Sequence, residues 1–167
     1  MRVRGFTVVE LVLVLAIAAA IVTISLPNFV RSQQHSYEAG ALGSLRAIAT
    51  KEVLFRDADS EHDGNNDYGM LSELSNTGLI DVALGSGTKR GYDFAATYSV
   101  TTSDFLWFGM ASPTVPGPAG TGTRWFAINT AGVMYYRADH AFAYDNTTCA
   151  LPQKTDSGEL TGPQWAG

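Results

Sequence analysis

Glu10 is a carboxylate set inside an apolar run. From Phe6 to Leu26 the only polar residues are Thr7, Glu10, Thr23 and Ser25. A charged side chain at the centre of a membrane helix costs about 2.5–3.5 kcal/mol on insertion scales, and less near an end. Glu10 stands near one end of the run, so insertion is tolerable but leaves a charge in want of a partner. A buried carboxylate is satisfied by a cation and hydrogen bonds. The chemistry at this position is therefore pairing and not proton transfer.

A second group of carboxylates lies in "RDADSEHDGNNDYGM". Asp59, Glu61, Asp63, Asn65 and Asp67 occupy alternate positions, with Gly64 sixth in the series. That spacing is like the start of an EF-hand calcium loop. The twelfth place, where a bidentate glutamate is needed, holds Met70. Two readings stand side by side: a calcium-stabilised loop, with calcium the one cofactor the sequence proposes, or a polar turn, since Asp, Asn and Gly dominate turns.

Catalytic patterns are absent from the sequence. It has no GxSxG, no HExxH and no Walker loop. His35, His62 and His140 have no metal-ligand spacing among themselves, so no enzyme is expected. Cys149 is the single cysteine, which rules out an intramolecular disulfide and CxxC sites. Asn146-Thr147-Thr148 matches a glycosylation sequon. A formal net charge of −5, with no basic run, argues against nucleic acid as a partner.

The elements that must position Glu10 begin with the apolar run itself. As a helix rising about 1.5 Å per residue, Phe6–Leu26 would be about 31 Å long, one bilayer core. Arg2 and Arg4 precede it, which predicts a cytoplasmic amino terminus and an exported remainder. A cleaved secretory signal fits poorly, because the apolar run continues past Ala16-Ile17-Ala18 and Glu10 interrupts its core. A plain membrane anchor accounts for length and orientation but not for Glu10.

The stretch Gly5-Phe6-Thr7-Val8-Val9-Glu10-Leu11, with Pro27 and Asn28-Phe29 after it, resembles the amino-terminal signal of type IV pilins and type II secretion pseudopilins. The resemblance rests on about the first 30 residues. It implies a leader of residues 1–5, cut after Gly5 by a prepilin peptidase that also methylates the new terminus at Phe6. It implies that Glu10 guides assembly, that Pro27 bends the helix, and that inner-membrane assembly machinery is a partner. Ala19 stands where many pilins carry a glycine, so helix loosening would rest more on Pro27. The implied product is a homopolymer, or a filament mixed with other pilins, built from subunits first held in the bacterial inner membrane. The filament would be extracellular, as a pilus, or periplasmic, as a pseudopilus of a type II secretion system. An uncleaved membrane-anchored ligand-binding protein is the reading from a different class.

The domain reading follows: leader 1–5, membrane or filament-core half-helix 6–26, and globular part 27–167 including the amphipathic half of the helix. That second half is expected to bury Leu42, Leu45, Ile48 or Ala49, and Val53, at helical spacing. The helix should run from about Phe6 to about Phe55. A short helix near Leu71–Leu74 comes next, and then "GSGTKRG" at 85–91 as a flexible connection. Strands are expected over Tyr92–Thr101 and Asp104–Ser112. The Pro- and Gly-rich 113–123 stretch reads as a loop, and "RWFAINTAGVMYYRAD" as a hairpin. The tail 141–167 reads as irregular. The fold class expected is α+β and pilin-like: a long kinked helix on an antiparallel sheet of about four strands, with the strand aromatics packed against the helix.

Overall fold

The computed structural model describes residues 5–59, 64–99, 106–138 and 142. The elements are α1 (Val8–Asp57), α2 (Leu71–Asn76), α3 (Val82–Gly85), β1 (Thr88–Lys89), β2 (Tyr92–Tyr98), β3 (Trp107–Pro113), β4 (Trp125–Asn129) and β5 (Met134–Arg137). The architecture is α+β, consistent with the pilin fold. The chain divides into two compact units, residues 1–33 and 34–167.

In the first unit, α1 runs unbroken through Pro27. Its apolar side chains from Phe6 to Phe29 are exposed, Phe6 at 72%. Its polar side chains bond back to their own helix. Thr23 Oγ1 donates to the Ala19 carbonyl at 2.8 Å, and Ser25 Oγ to that of Ile21 at 2.9 Å. Local bonding of this kind is what a segment without water around it requires.

In the second unit, α1 buries one stripe: Gln34, Glu38, Ala41, Leu45, Ile48, Glu52 and Phe55. The steps alternate between four and three residues, which keeps a single face turned to the sheet. Leu45 and Ile48 are where the sequence places them, and Leu42 and Ala49 flank the stripe half-buried. Val53 is not part of it. It is 44% exposed, and Glu52 takes the buried position. The apolar pattern misassigns this turn because it gives no place to a buried carboxylate.

The sheet has five antiparallel strands in chain order. The additional strand is β1, inside the stretch expected to be a flexible connection. Arg90 (φ 48°) and Gly91 (φ 74°) form a two-residue turn that puts Lys89 opposite Tyr92. Two positive φ angles are the signature of the hairpin turns whose twist matches the sheet. The usual Asn-Gly or Asp-Gly cue is missing, since Arg fills the first place. The helix α3 was also not expected; Asp81 caps it, accepting from the Leu84 amide at 2.9 Å.

Alternation along the strands creates two layers. Tyr92 and Phe94, Trp107 and Ala111, and Phe126 and Ile128 join Leu45, Ile48 and Phe55 of α1 in the main core. Phe108 and Ala127 point to the opposite face, where Phe142 covers them. Gly109 makes room for its sheet neighbours: a Cβ there would meet Trp107 and Ile128 at 3.0 and 3.1 Å, while Leu45 of α1, at 3.5 Å, would be in ordinary contact.

Two polar side chains on the stripe fasten the 113–123 loop. Gln34 Nε2 donates to the carbonyls of Gly117 (2.8 Å) and Gly120 (3.1 Å). Glu38 Oε1 accepts from the Thr123 amide at 3.1 Å, and its Oε2 lies 3.5 Å from Arg124 Nε. Tyr92 Oη donates to the Arg124 carbonyl at 3.0 Å. Burial, with Glu38 nearby, pushes the Tyr92 hydroxyl well above its ordinary pKa, so it remains a donor. The Pro- and Gly-rich stretch is thus a loop, as its composition indicates, but a clamped one.

The stripe register makes a direct prediction. Leu45→Ala empties a fully buried site and should destabilise the fold by about 2–5 kcal/mol, whereas Val53→Ala should change stability by about 0.5 kcal/mol or less. Thermal or denaturant unfolding of the two variants checks this. Equal losses would refute the register.

Candidate assembly site at the amino terminus

The site is built by the first turn of α1. Thr7 precedes the helix and Glu10 is its third residue, giving the Thr-x-x-Glu pattern of a capping box. Both halves of the box are formed. The Glu10 amide donates to Thr7 Oγ1 at 3.2 Å, and the Thr7 amide donates to Glu10 Oε2 at 3.2 Å. Thr7 Oγ1 also donates to Glu10 Oε2, at 3.0 Å. The carboxylate therefore answers the Thr7 amide, the Thr7 hydroxyl answers the Glu10 amide, and the charge sits at the positive end of the helix dipole.

This arrangement gives Glu10 a role the sequence reading missed. Its charge is compensated locally, by an amide and a hydroxyl within its own turn. The signal was present in the sequence as Thr7 and Glu10 at capping-box spacing. Both bonds from Thr7 fall on Oε2, and Oε1 takes part in neither. Gly5 and Phe6 lie immediately before the box and are exposed; a Cβ added at Gly5 would meet nothing within 4 Å beyond its chain neighbours. Gly5, Phe6 and Glu10 are thus close along the chain at one accessible end. Pro27 lies inside the same helix.

The segment from Val8 begins a helix long and apolar enough to cross a membrane, and none of that window is buried within the structure. Thr7, Glu10, Thr23 and Ser25, the polar residues of the run, all have hydrogen bonds inside it. Such a helix can lie in a non-aqueous setting with its hydroxyl groups paired and with Glu10 Oε1 left over for a partner.

Of the calcium candidates, Asp59, Asn65 and Asp67 are among the described residues. Glu61 and Asp63 lie outside them. Asp59 adopts a positive φ of 42°, and its Oδ2 accepts from the Gly64 amide at 3.2 Å, closing a local turn. Asn66 Nδ2, from the same stretch, donates to the Arg56 carbonyl at 2.9 Å. Asn65 and Asp67 also have interactions of their own. Among the described residues no three His, Cys, Asp or Glu side chains are grouped so as to hold a metal ion. His62, His140, Asn146 and Cys149 lie outside the described residues. His35 Nδ1 is 3.9 Å from Glu38 Oε2, an exposed ring beside a structural carboxylate.

The chain is 29% identical over 138 residues to the type IV major pilin protein PilA of Myxococcus xanthus (strain DK1622). The alignment covers 78% of this chain and 62% of that relative, so the chain spans less than two thirds of the relative's length. This relative supports the type IV pilin family. No family model and no solved structure matches. The pilin resemblance was drawn from the amino-terminal signal alone, whereas the alignment covers most of the chain. The α+β fold, with α1 against an antiparallel sheet, agrees with it.

The capping box has its own test. Thr7→Val keeps the shape of the side chain and removes its hydroxyl. It should weaken the helix start by about 1 kcal/mol. Amide exchange at Val8, Val9 and Glu10, measured in detergent, should accelerate several-fold, with Leu42–Phe55 unaffected. Unchanged exchange at these amides would show that the box contributes nothing.

Proposed function

We propose that this protein is a structural subunit of a type IV pilus-like filament and not an enzyme. The observation that carries the proposal is the first half of α1, an exposed apolar helix with one carboxylate in its first turn. That surface needs lipid, or other copies of itself, to be removed from water. Similarity to a protein named as a type IV major pilin supports the same reading.

In this scheme the precursor sits in the inner membrane with its amino terminus cytoplasmic and its globular part periplasmic. A prepilin peptidase removes residues 1–5, and the new amine at Phe6 is methylated. The 6–26 segment then leaves lipid for a filament core made of the same segment from other subunits, handed over by inner-membrane assembly machinery. The part from residue 27 onward forms the exterior. Glu10 of one subunit takes the terminal amine of a neighbour. The cation favours Glu10 Oε1, which the capping box leaves unused, so docking need not break the helix start.

The interaction fixes position more than it adds stability. Forming a buried ion pair is close to neutral, whereas leaving one partner alone in a low-dielectric setting is costly. A subunit docked out of register would bury both charges unpaired. Pro27 lacks the N–H that would bond one turn back, so the helix has its weakest internal point there. A pseudopilus of a type II secretion system uses the same device, and the amino-terminal features apply equally to it.

Two measurements test the proposal. Sequencing the mature protein should give methyl-Phe6 as the first residue. Glu10→Ala should be cleaved normally, remain in the membrane fraction, and yield at least tenfold less sheared filament than wild type. A mature chain that retains Met1, or full filament yield from Glu10→Ala, would overturn it.

A further inference from the structure

Glu52 is buried on the α1 stripe, with 0% of its surface exposed. Its Oε2 accepts from the Gly69 amide at 3.1 Å. Its Oε1 has no hydrogen-bond partner among the described residues. The next amide along, that of Met70, donates to Glu73 Oε2 of α2. Two consecutive backbone N–H groups are thus held by carboxylates from two different helices.

Around this pair the 64–70 segment is tied to the end of α1. Asn66 Nδ2 donates to the Arg56 carbonyl, and Arg56 Nη1 donates to Tyr68 Oη at 3.0 Å. Tyr68 packs on Trp107 of β3, with ring centroids 6.2 Å apart. Gly69 is wedged: a Cβ there would come within 2.8 Å of both Leu74 and Phe55. Glu52 adds the bond from α1 to the Gly69 amide at the centre of these contacts.

No ion pair to Glu52 occurs among the described residues. The charged and titratable groups nearest it on the elements around it include Glu73 from α2, Asp67 and Tyr68 from the segment, and Lys51, Arg56 and Asp57 from α1. Arg56 is occupied by Asp57 Oδ1 at 3.0 Å and by Tyr68. Trp107 is the β3 contribution to this cluster and does not titrate. Among the described residues, an anionic Glu52 would have one amide donor, no ion-paired cation, no exposed surface and a second carboxylate, Glu73, nearby.

We propose that Glu52 is a proton-gated latch, which holds the 64–70 segment against α1 when protonated and releases it when its proton is lost to solvent. Burial pushes the Glu52 carboxyl up to about 8; the Gly69 amide opposes this and Glu73 adds to it. The ordinary value is 4.5. Between the two values the folded chain retains a proton that the unfolded chain gives up. Stability is therefore greatest below the lower value and falls as pH rises through the window. Ionisation would drive Glu52 outward and open the wedge between Phe55 and Leu74. The segment so released carries Asn65 and Asp67, so its freedom would depend on pH near neutrality.

The test follows the Gly69 and Met70 amides of the full chain in detergent micelles by NMR, from pH 5 to 9.5. In wild type the Gly69 resonance should shift with a midpoint near 8. Its exchange protection, corrected for intrinsic pH dependence, should fall at least tenfold between pH 6.5 and 9. Glu52→Gln should keep its protection over the whole range. Glu73→Gln should move the midpoint down, because it removes the neighbouring negative charge. A Glu52 midpoint near 4.5, or equal loss of protection in wild type and Glu52→Gln, would overturn the latch. Should Glu52→Gln not fold, a Glu73→Gln midpoint identical to wild type would overturn it as well.

Discussion

One constraint organises the main core of the second unit: it forms around a single stripe of α1, repeated at four- and three-residue steps from Gln34 to Phe55. A sheet cannot bury its apolar face alone, and a helix presents only one stripe. Here the stripe's middle, Ala41, Leu45 and Ile48, is apolar and lies in the main core. Polar residues stand toward both ends, with Phe55 closing the second. Gln34 and Glu38 reach the 113–123 loop on one side of the middle, and Glu52 reaches the 64–70 segment on the other. Apolar contacts supply the cohesion. The amide and carboxylates choose which loops attach and where.

This division explains why the loops can be rich in Pro, Gly, Asp and Asn and still be placed. Such segments bury little apolar surface of their own, so they depend on specific hydrogen bonds to backbone groups. Gly117 and Gly120 offer carbonyls, Thr123 and Gly69 offer N–H groups, and all four are answered from the same helix. The two carboxylates differ in their surroundings. Glu38 has Arg124 and two Thr123 donors. Glu52 has one amide, and its carboxyl is raised accordingly. The same side chain thus meets an arginine and two Thr123 donors at one place on the stripe and a single amide at the other.

Much of this was legible in the sequence, and the exceptions have definite causes. The long helix, the Trp125–Arg137 hairpin and the aromatic core strands show in apolar periodicity and turn residues, which are strong local signals. The Thr88–Lys89 strand was hidden because its hairpin turn uses Arg90-Gly91, and because two residues carry no pattern. Val53 was misplaced because periodicity counts apolar residues, and Glu52 is buried without being one. At the amino terminus, Gly5, Phe6, Glu10 and Pro27 stood out by type and spacing. The hydrogen bonds from Thr7 to Glu10 did not, although a Thr three residues before a Glu is a known way to begin a helix. A lone carboxylate in an apolar run points to an outside partner, and the partner within its own turn carries no comparable contrast in the sequence.

The hydrogen bonding of the first helical half bears on how such a segment can change its surroundings. Thr7 and Glu10 answer each other, and Thr23 and Ser25 answer carbonyls of their own helix. None of these bonds asks anything of a neighbour. A segment of this kind is chemically self-contained, much as a coated wire is, and its side chains need no rearrangement when one apolar medium replaces another. In the proposed filament, transfer from lipid to a bundle of like helices is then a sliding motion. The barrier lies in aligning shapes and one charge, not in breaking and remaking bonds along the way.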